Sequence, residues 1–193
     1  MNGSHRIFVA VALEASLREA ITDLERRLED AGARLHWVKP ENLHFTLRFL
    51  GHISDAQLNR VKTAAREAAQ GVAAFRIALA GLGAFPNARR PQVVWVGIGK
   101  GGDNLRDLAE RLDDTLARQR FPKEPRGFQP HLTLARVKEP RLWGEIGPVL
   151  GQFERVEVGE QEVRSLLVME SLLRPQGAIY TQVEEVPLSP YEK

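Results

Sequence analysis

Residues 40–51 read PENLHFTLRFLG, and the tetrad inside them, His44-Phe45-Thr46-Leu47, returns as His131-Leu132-Thr133-Leu134, 87 positions later (131 − 44). In an extended strand successive side chains point to opposite faces, so each tetrad puts its His and Thr on one face and two apolar residues on the other. The apolar pair anchors the strand; the polar pair is presented. A single tetrad of this kind carries little weight, because a β-branched Thr and a satisfied His are ordinary in sheets. Two of the chain's five histidines in matching tetrads predict a site assembled from two halves.

What lies outward from the tetrads repeats as well. Residues 6–13 (RIFVAVAL) read as a buried strand, followed by a helix over 14–31 with Leu17, Ile21, Leu24 and Leu28 at helical spacing and Gly32 as its stop. Residues 35–38 look extended, and the first tetrad strand spans 42–50. The second tetrad strand, 128–137, follows a strand at 92–98 and a helix at 105–119 capped by Asp103 or Asn104. Between these units lie a helix from Ser54 or Asp55 to about residue 70 and an alternating strand at 75–82. A short helix at 140–150 and closing strands at 153–158, 162–170 and 179–186 complete the chain, with a turn at 174–177 between the last two. Strand, helix and tetrad in the same order twice imply α+β lobes whose sheets face one another, with the tetrads meeting at a pseudo-two-fold cleft.

At 193 residues the chain has room for one packed domain, or for two small lobes sharing a core, and no linker separates its halves. There is no cysteine, which removes disulfides, thiolate nucleophiles and cysteine metal sites. No apolar run approaches the roughly 18 residues of a membrane span, and no signal-peptide hydrophobic segment opens the sequence. A cytoplasmic protein with no membrane association is expected. The net charge of +2 calls for no nucleic-acid partner by itself. Residues 118–141, however, hold seven basic side chains against two acidic ones and bracket the second tetrad, either as a solvated face or as a phosphate-attracting rim.

Histidine's ordinary pKa, about 6.5, lets it give or take a proton near neutrality. Two imidazoles facing one phosphodiester can divide the work, one protonating the leaving alkoxide while the other deprotonates the nucleophile. A Thr hydroxyl on the same face can donate to a non-bridging oxygen whose charge grows in the transition state. His44, His131, Thr46 and Thr133 are therefore the central candidates. No metal or other cofactor is expected, since neither strand holds a third His, Cys or carboxylate at ligand spacing. Trp37, Phe45, Phe85 and Phe128 are candidates for stacking a base, although Phe45 should point into the core opposite His44. Arg48 falls on the His44 face by alternation, as added charge or as a rim residue. Tyr180 reads as structural, His36 and His52 as surface residues, and His5 is given no role.

The stretches RIFVAVAL, WVKPENLHFTLRFLG, GLGAFPNARRPQVVWVGI, FQPHLTLARV and SLLRPQGAIYTQVEEVPL together resemble the 2H phosphoesterases, named for two His-x-Thr-x motifs. Within them the chain looks like the RNA 2′,3′-cyclic phosphodiesterases, also called 2′-5′ RNA ligases, over nearly its full length. The resemblance implies a single bilobal domain over 1–193, built of two pseudo-symmetric lobes of antiparallel sheet with outer helices around a central cleft. It also implies hydrolysis of a terminal RNA 2′,3′-cyclic phosphate to a 2′-phosphomonoester, with 2′-5′ joining as the reverse reaction. The implied partner is an RNA 3′ end bearing that group, tRNA halves included, met by a monomer. By the same resemblance His44 is the acid, His131 the base, Thr46 and Thr133 bind phosphate, and Arg136 joins them. Arg136 is five residues from His131, so a bulge or strand end is required to bring it to the His face. Cyclic nucleotides, ADP-ribose cyclic phosphate and 2′-5′ oligonucleotides remain alternative substrates, and non-catalytic binding of RNA ends an alternative role.

Overall fold

Strand β1 (Ser4–Ala12) runs through the centre of one sheet, which is why five consecutive residues, from Ile7 to Val11, are buried. The computed structural model describes residues 3–175 and 177–190. Helix α1 (Ala15–Asp30) buries Leu17, Ile21, Leu24 and Leu28, the stripe its sequence spacing predicts. After the two-residue strand β2 (His36–Trp37) and a 3-10 turn at Pro40–Asn42 comes β3 (His44–Ser54), the first tetrad strand. Helix α2 (Asp55–Ala69) starts with a capping box between Ser54 and Gln57.

Strands β4 (Phe75–Phe85) and β5 (Val93–Ile98) follow. β4 outruns the expected 75–82 because Gly83 leaves space on its face: a Cβ there would meet the Trp95 ring at 2.3 Å, so the indole lies flat against bare backbone. Helix α3 (Gly102–Arg118) starts one residue before Asp103, after Gly101 in the left-handed region, where a Cβ would collide with the Arg76 carbonyl at 2.0 Å. The second tetrad strand, β6 (His131–Arg136), is shorter than the expected 128–137. It leads through a 3-10 turn at Pro140–Leu142 into α4 (Trp143–Gln152). The closing strands are β7 (Glu157–Val163), β8 (Ser165–Arg174) and β9 (Gly177–Pro187), each longer than or displaced from its expected span. Arg174 registers opposite Gly177 at the last turn; Gln176 of that expected turn lies outside the described residues.

Two sheets result, ordered β3-β1-β8-β9 and β2-β6-β5-β4-β7, and every pairing of named strands is antiparallel. This is the expected α+β architecture. Helices α2 and α3 pack on each other, and the tetrad strands β3 and β6 are in contact between the sheets. On β1, Ala12, Ala10 and Phe8 stand opposite His44, Thr46 and Phe49; on β5, Gly97, Trp95 and Val93 stand opposite His131, Thr133 and Arg136. Each tetrad strand is therefore held by its neighbour in the same register, with the same irregularity after the Thr. Phe45 and Leu132, on the faces opposite the histidines, are fully buried. Truncating Phe45 to Ala would cost about 3–5 kcal/mol.

Candidate active site

The rigidity of each histidine comes from the residue two before it. Nδ1 of His44 lies 2.7 Å from the Asn42 carbonyl oxygen, and Nδ1 of His131 lies 2.7 Å from that of Gln129. A carbonyl only accepts, so both Nδ1 atoms carry hydrogen, and proton exchange in each ring takes place at Nε2. Aromatic walls hold the rings from the side. Phe8 and Tyr180 flank His44 at centroid distances of 4.8 and 5.2 Å, and Phe85 meets His131 edge-on at 5.0 Å. Thr46 Oγ1 is 2.8 Å from His44 Nε2.

Both tetrads open into one cavity of about 210 Å³, lined by His44, Thr46, His131, Thr133 and Arg136. Arg6, Phe8, Phe49, Ser171 and Tyr180 complete much of its wall, and none of its lining residues is acidic. Among the described residues neither Arg6 nor Arg136 has a carboxylate partner. Burial disfavours charge on both imidazoles and holds each pKa below the usual 6.5, against the smaller opposing effect of the Nδ1 hydrogen bond. Two guanidiniums, two hydroxyls and two poised imidazoles around so small a space make an anion site with proton-transfer capacity.

A β-bulge decides which arginine reaches it. In β6 the ladder skips Leu134, so Arg136 returns to the face of His131 and Thr133. In β3 the ladder skips Leu47 in the same way, which turns Arg48 away from the His44 face and brings Phe49 onto it. This corrects the alternation-based placement of Arg48. That side chain is buried, paired with Glu124 and the Pro122 carbonyl, with its Nε 3.3 Å from Asp113. It fastens β3 to α3 and to the connector ahead of β6.

Beside the cavity, and sharing Phe49 and His131 with it, lies a groove of about 890 Å³ that includes Phe85, Phe128 and Arg126. Phe128 is thus beside the tetrads, but Trp37 is not: its indole N–H donates to Glu29 Oε1 at 2.5 Å, and its ring packs against the core. Of the basic run at 118–141, Arg118, Lys123 and Arg141 are paired with Glu67, Asp114 and Glu139, whereas Arg136 and Arg126 face the cavity and the groove. Tyr180, expected to be structural, lines the cavity. Sequence reasoning misses Arg6, Phe8 and Ser171, although Arg6 and Phe8 share a face of β1 by simple alternation. Among the described residues no cluster of three or more His, Cys, Asp or Glu side chains is placed to hold a metal ion. No helix among them is long and apolar enough to cross a membrane.

Residues 11–95 and again 96–180 match the family model described as LigT-like phosphoesterase. The sequence is 37% identical over 179 residues to the RNA 2′,3′-cyclic phosphodiesterase of Methanothermobacter thermautotrophicus, covering 93% of this chain and 96% of that protein. It is 40% identical over 164 residues to the protein of the same name from Aeropyrum pernix, covering 83% and 92%. Among solved structures, a Thermus thermophilus protein superposes with a TM-score of 0.79 at 28% identity, over 97% of this chain and 100% of that one.

Proposed function

Because the chain belongs to the LigT-like phosphoesterase family, we propose that it is an RNA 2′,3′-cyclic phosphodiesterase working through a His44/His131 acid–base pair. The relatives' names supply the substrate class. The observation that carries the mechanism is the matched pair of Nδ1 hydrogen bonds to the carbonyls of Asn42 and Gln129, which commits both Nε2 atoms to exchange in one cavity without carboxylates.

In this reading the cyclic phosphate sits between the tetrads, held by Thr46, Thr133 and Arg136. His131 Nε2 takes a proton from water as its oxygen bonds to phosphorus. The P–O3′ bond breaks, and His44 Nε2 delivers its proton to the departing O3′. The products are a 3′ hydroxyl and a 2′-phosphomonoester, and the same sequence with the 5′ hydroxyl of a second RNA in place of water is 2′-5′ joining. The terminal nucleoside lies along the groove of Phe49, Phe85 and Phe128, where a ring face can meet a base. The chain acts as one bilobal unit whose two duplicated halves each bring a His-x-Thr pair, and it does so as a monomer in the cytoplasm.

The test is turnover of an RNA ending in a 2′,3′-cyclic phosphate, with EDTA present. Product bearing a 2′-phosphate is expected from the wild type. His44→Ala and His131→Ala should each lower kcat by about 10²–10⁴-fold. Full activity in either variant would overturn the paired mechanism.

A further inference from the structure

We propose that Arg6 receives the phosphodiester one nucleotide upstream of the terminal cyclic phosphate, and so sets a preference for RNA ends over free cyclic mononucleotides. The inference rests on the phosphodiesterase reading and assigns a second anion position within that site.

Charge comes first. The reacting cyclic phosphate is a monoanion, and its transition state is already faced by one imidazolium, two hydroxyls and Arg136. Arg6 adds a further positive charge to the same cavity, with no carboxylate in the lining to balance it. A half-buried guanidinium without a counter-charge is tolerated poorly unless a ligand supplies one. An RNA end brings a second negative charge one nucleotide along; a free cyclic mononucleotide does not.

Position comes second. Arg6 shares a face of β1 with Phe8, the residue that packs on His44, and lies one two-residue step, about 7 Å, further along the strand. It therefore stands beyond the reacting centre on the side marked by Phe49. Its orientation is fixed: Nη1 donates to Oγ of the buried Ser171 at 2.8 Å, and the guanidinium lies over the Phe49 ring, 4.5 Å from its centroid. Among the described residues that is its one recorded hydrogen bond, so the remaining N–H groups of the fork are available to phosphate oxygens. Phe49 is 46% exposed, which leaves ring surface open beside the held guanidinium.

The test compares three substrates in the wild type: adenosine 2′,3′-cyclic phosphate, the dinucleotide ApA ending in a 2′,3′-cyclic phosphate, and that dinucleotide with a neutral methylphosphonate linkage. The charged dinucleotide should be turned over with a kcat/KM on the order of 10- to 100-fold above that of the neutral one, the scale of a hydrogen bond to a charged group. In Arg6→Gln the two dinucleotides should become equivalent, and Arg6→Lys should restore part of the difference. Wild-type indifference to linkage charge overturns the inference without any variant, so misfolding of Arg6→Gln cannot shelter it. Retained discrimination in a folded Arg6→Gln overturns it, as does an equal loss on all three substrates, which would place Arg6 at the reacting phosphate. If the wild type turns over none of the three, the phosphodiesterase reading itself fails, a result distinct from turnover without discrimination.

Discussion

Phe49 and Arg136 occupy the same place in their two strands: each is the second residue after the skipped one, three past a Thr and on the face of its own His-x-Thr pair. The exposure pattern along residues 44–49 and 131–136 is identical, ending in an exposed side chain at Phe49 and at Arg136. One half of the cavity thus offers a guanidinium from its tetrad strand. The other offers a ring, with the guanidinium of Arg6 laid over it from the neighbouring strand. The two histidines are near equivalents, but the charges around them are not.

That asymmetry bears on Arg136. A guanidinium on the reacting phosphate matters most when charge builds on the equatorial oxygens, so its loss should appear in kcat rather than KM. Arg136→Ala is expected to lower kcat about 10- to 100-fold, with Arg136→Lys in between. Steady-state kinetics on a cyclic-phosphate RNA end decide it; a change confined to KM would make Arg136 a docking residue only.

The acid–base pair predicts a pH dependence with a definite sign. Burial favours the neutral form of both His44 and His131 in the free protein, so each titrates below 6.5. Turnover needs one imidazolium and one imidazole, and the kcat/KM bell should therefore be centred on the acid side of 6.5. A bound phosphate anion stabilises the imidazolium, so the kcat bell should shift upward relative to kcat/KM. A kcat/KM maximum above pH 7 would contradict this assignment.

Arg48 should behave as a fastener rather than a substrate contact. Its buried guanidinium ties β3 to Asp113 of α3 and to Glu124 in the connector that leads to Phe128. Arg48→Ala leaves two carboxylates without their cation and is expected to cost about 3 kcal/mol, a fall in Tm on the order of 10 °C. KM should also rise, because the connector forms one wall of the groove. A melting curve shifted by less than ~2 °C would show that the ion pair does not hold the connector.

The different fates of Arg48 and Arg136 mark what could be read from the sequence. Alternation places His44, Thr46 and Phe45 on their observed faces because those residues lie before the bulge, where a period of two holds. Beyond it the parity reverses, and nothing within FTLRF announces this, since the skipped residue is set by pairing with β1 several dozen positions away. The odd spacing of Arg136 from His131 states the need for a bulge; the even spacing of Arg48 from His44 gives no such warning. The helices are legible down to the buried stripe of α1, because their periodicity is local. Tyr180 and Arg6 are not, for their place in the lining of the cavity comes from the sheet order β3-β1-β8-β9, which no local pattern encodes.

Glu25 provides a prediction that is independent of catalysis. Its Oε1 is buried without a hydrogen-bond partner, and burial, with the nearby Glu29 charge, pushes its pKa up to about 7. The folded state thus holds this proton more tightly than the unfolded chain does, where an ordinary value of 4.5 applies. The sign follows from linkage: the penalty is absent below pH 4.5, grows as the pH rises, and is complete above about 7. Glu25→Gln removes the charge and should therefore stabilise the protein at pH 8.5. After discounting for the water that still reaches this half-buried carboxylate, the gain is about 1 kcal/mol, or roughly 2–4 °C in Tm. At pH 4.5 the variant and the wild type should melt together. Thermal melts at both pH values check it, and a stabilisation of equal size at each would mean that the gain comes from packing and not from the lost ionisation.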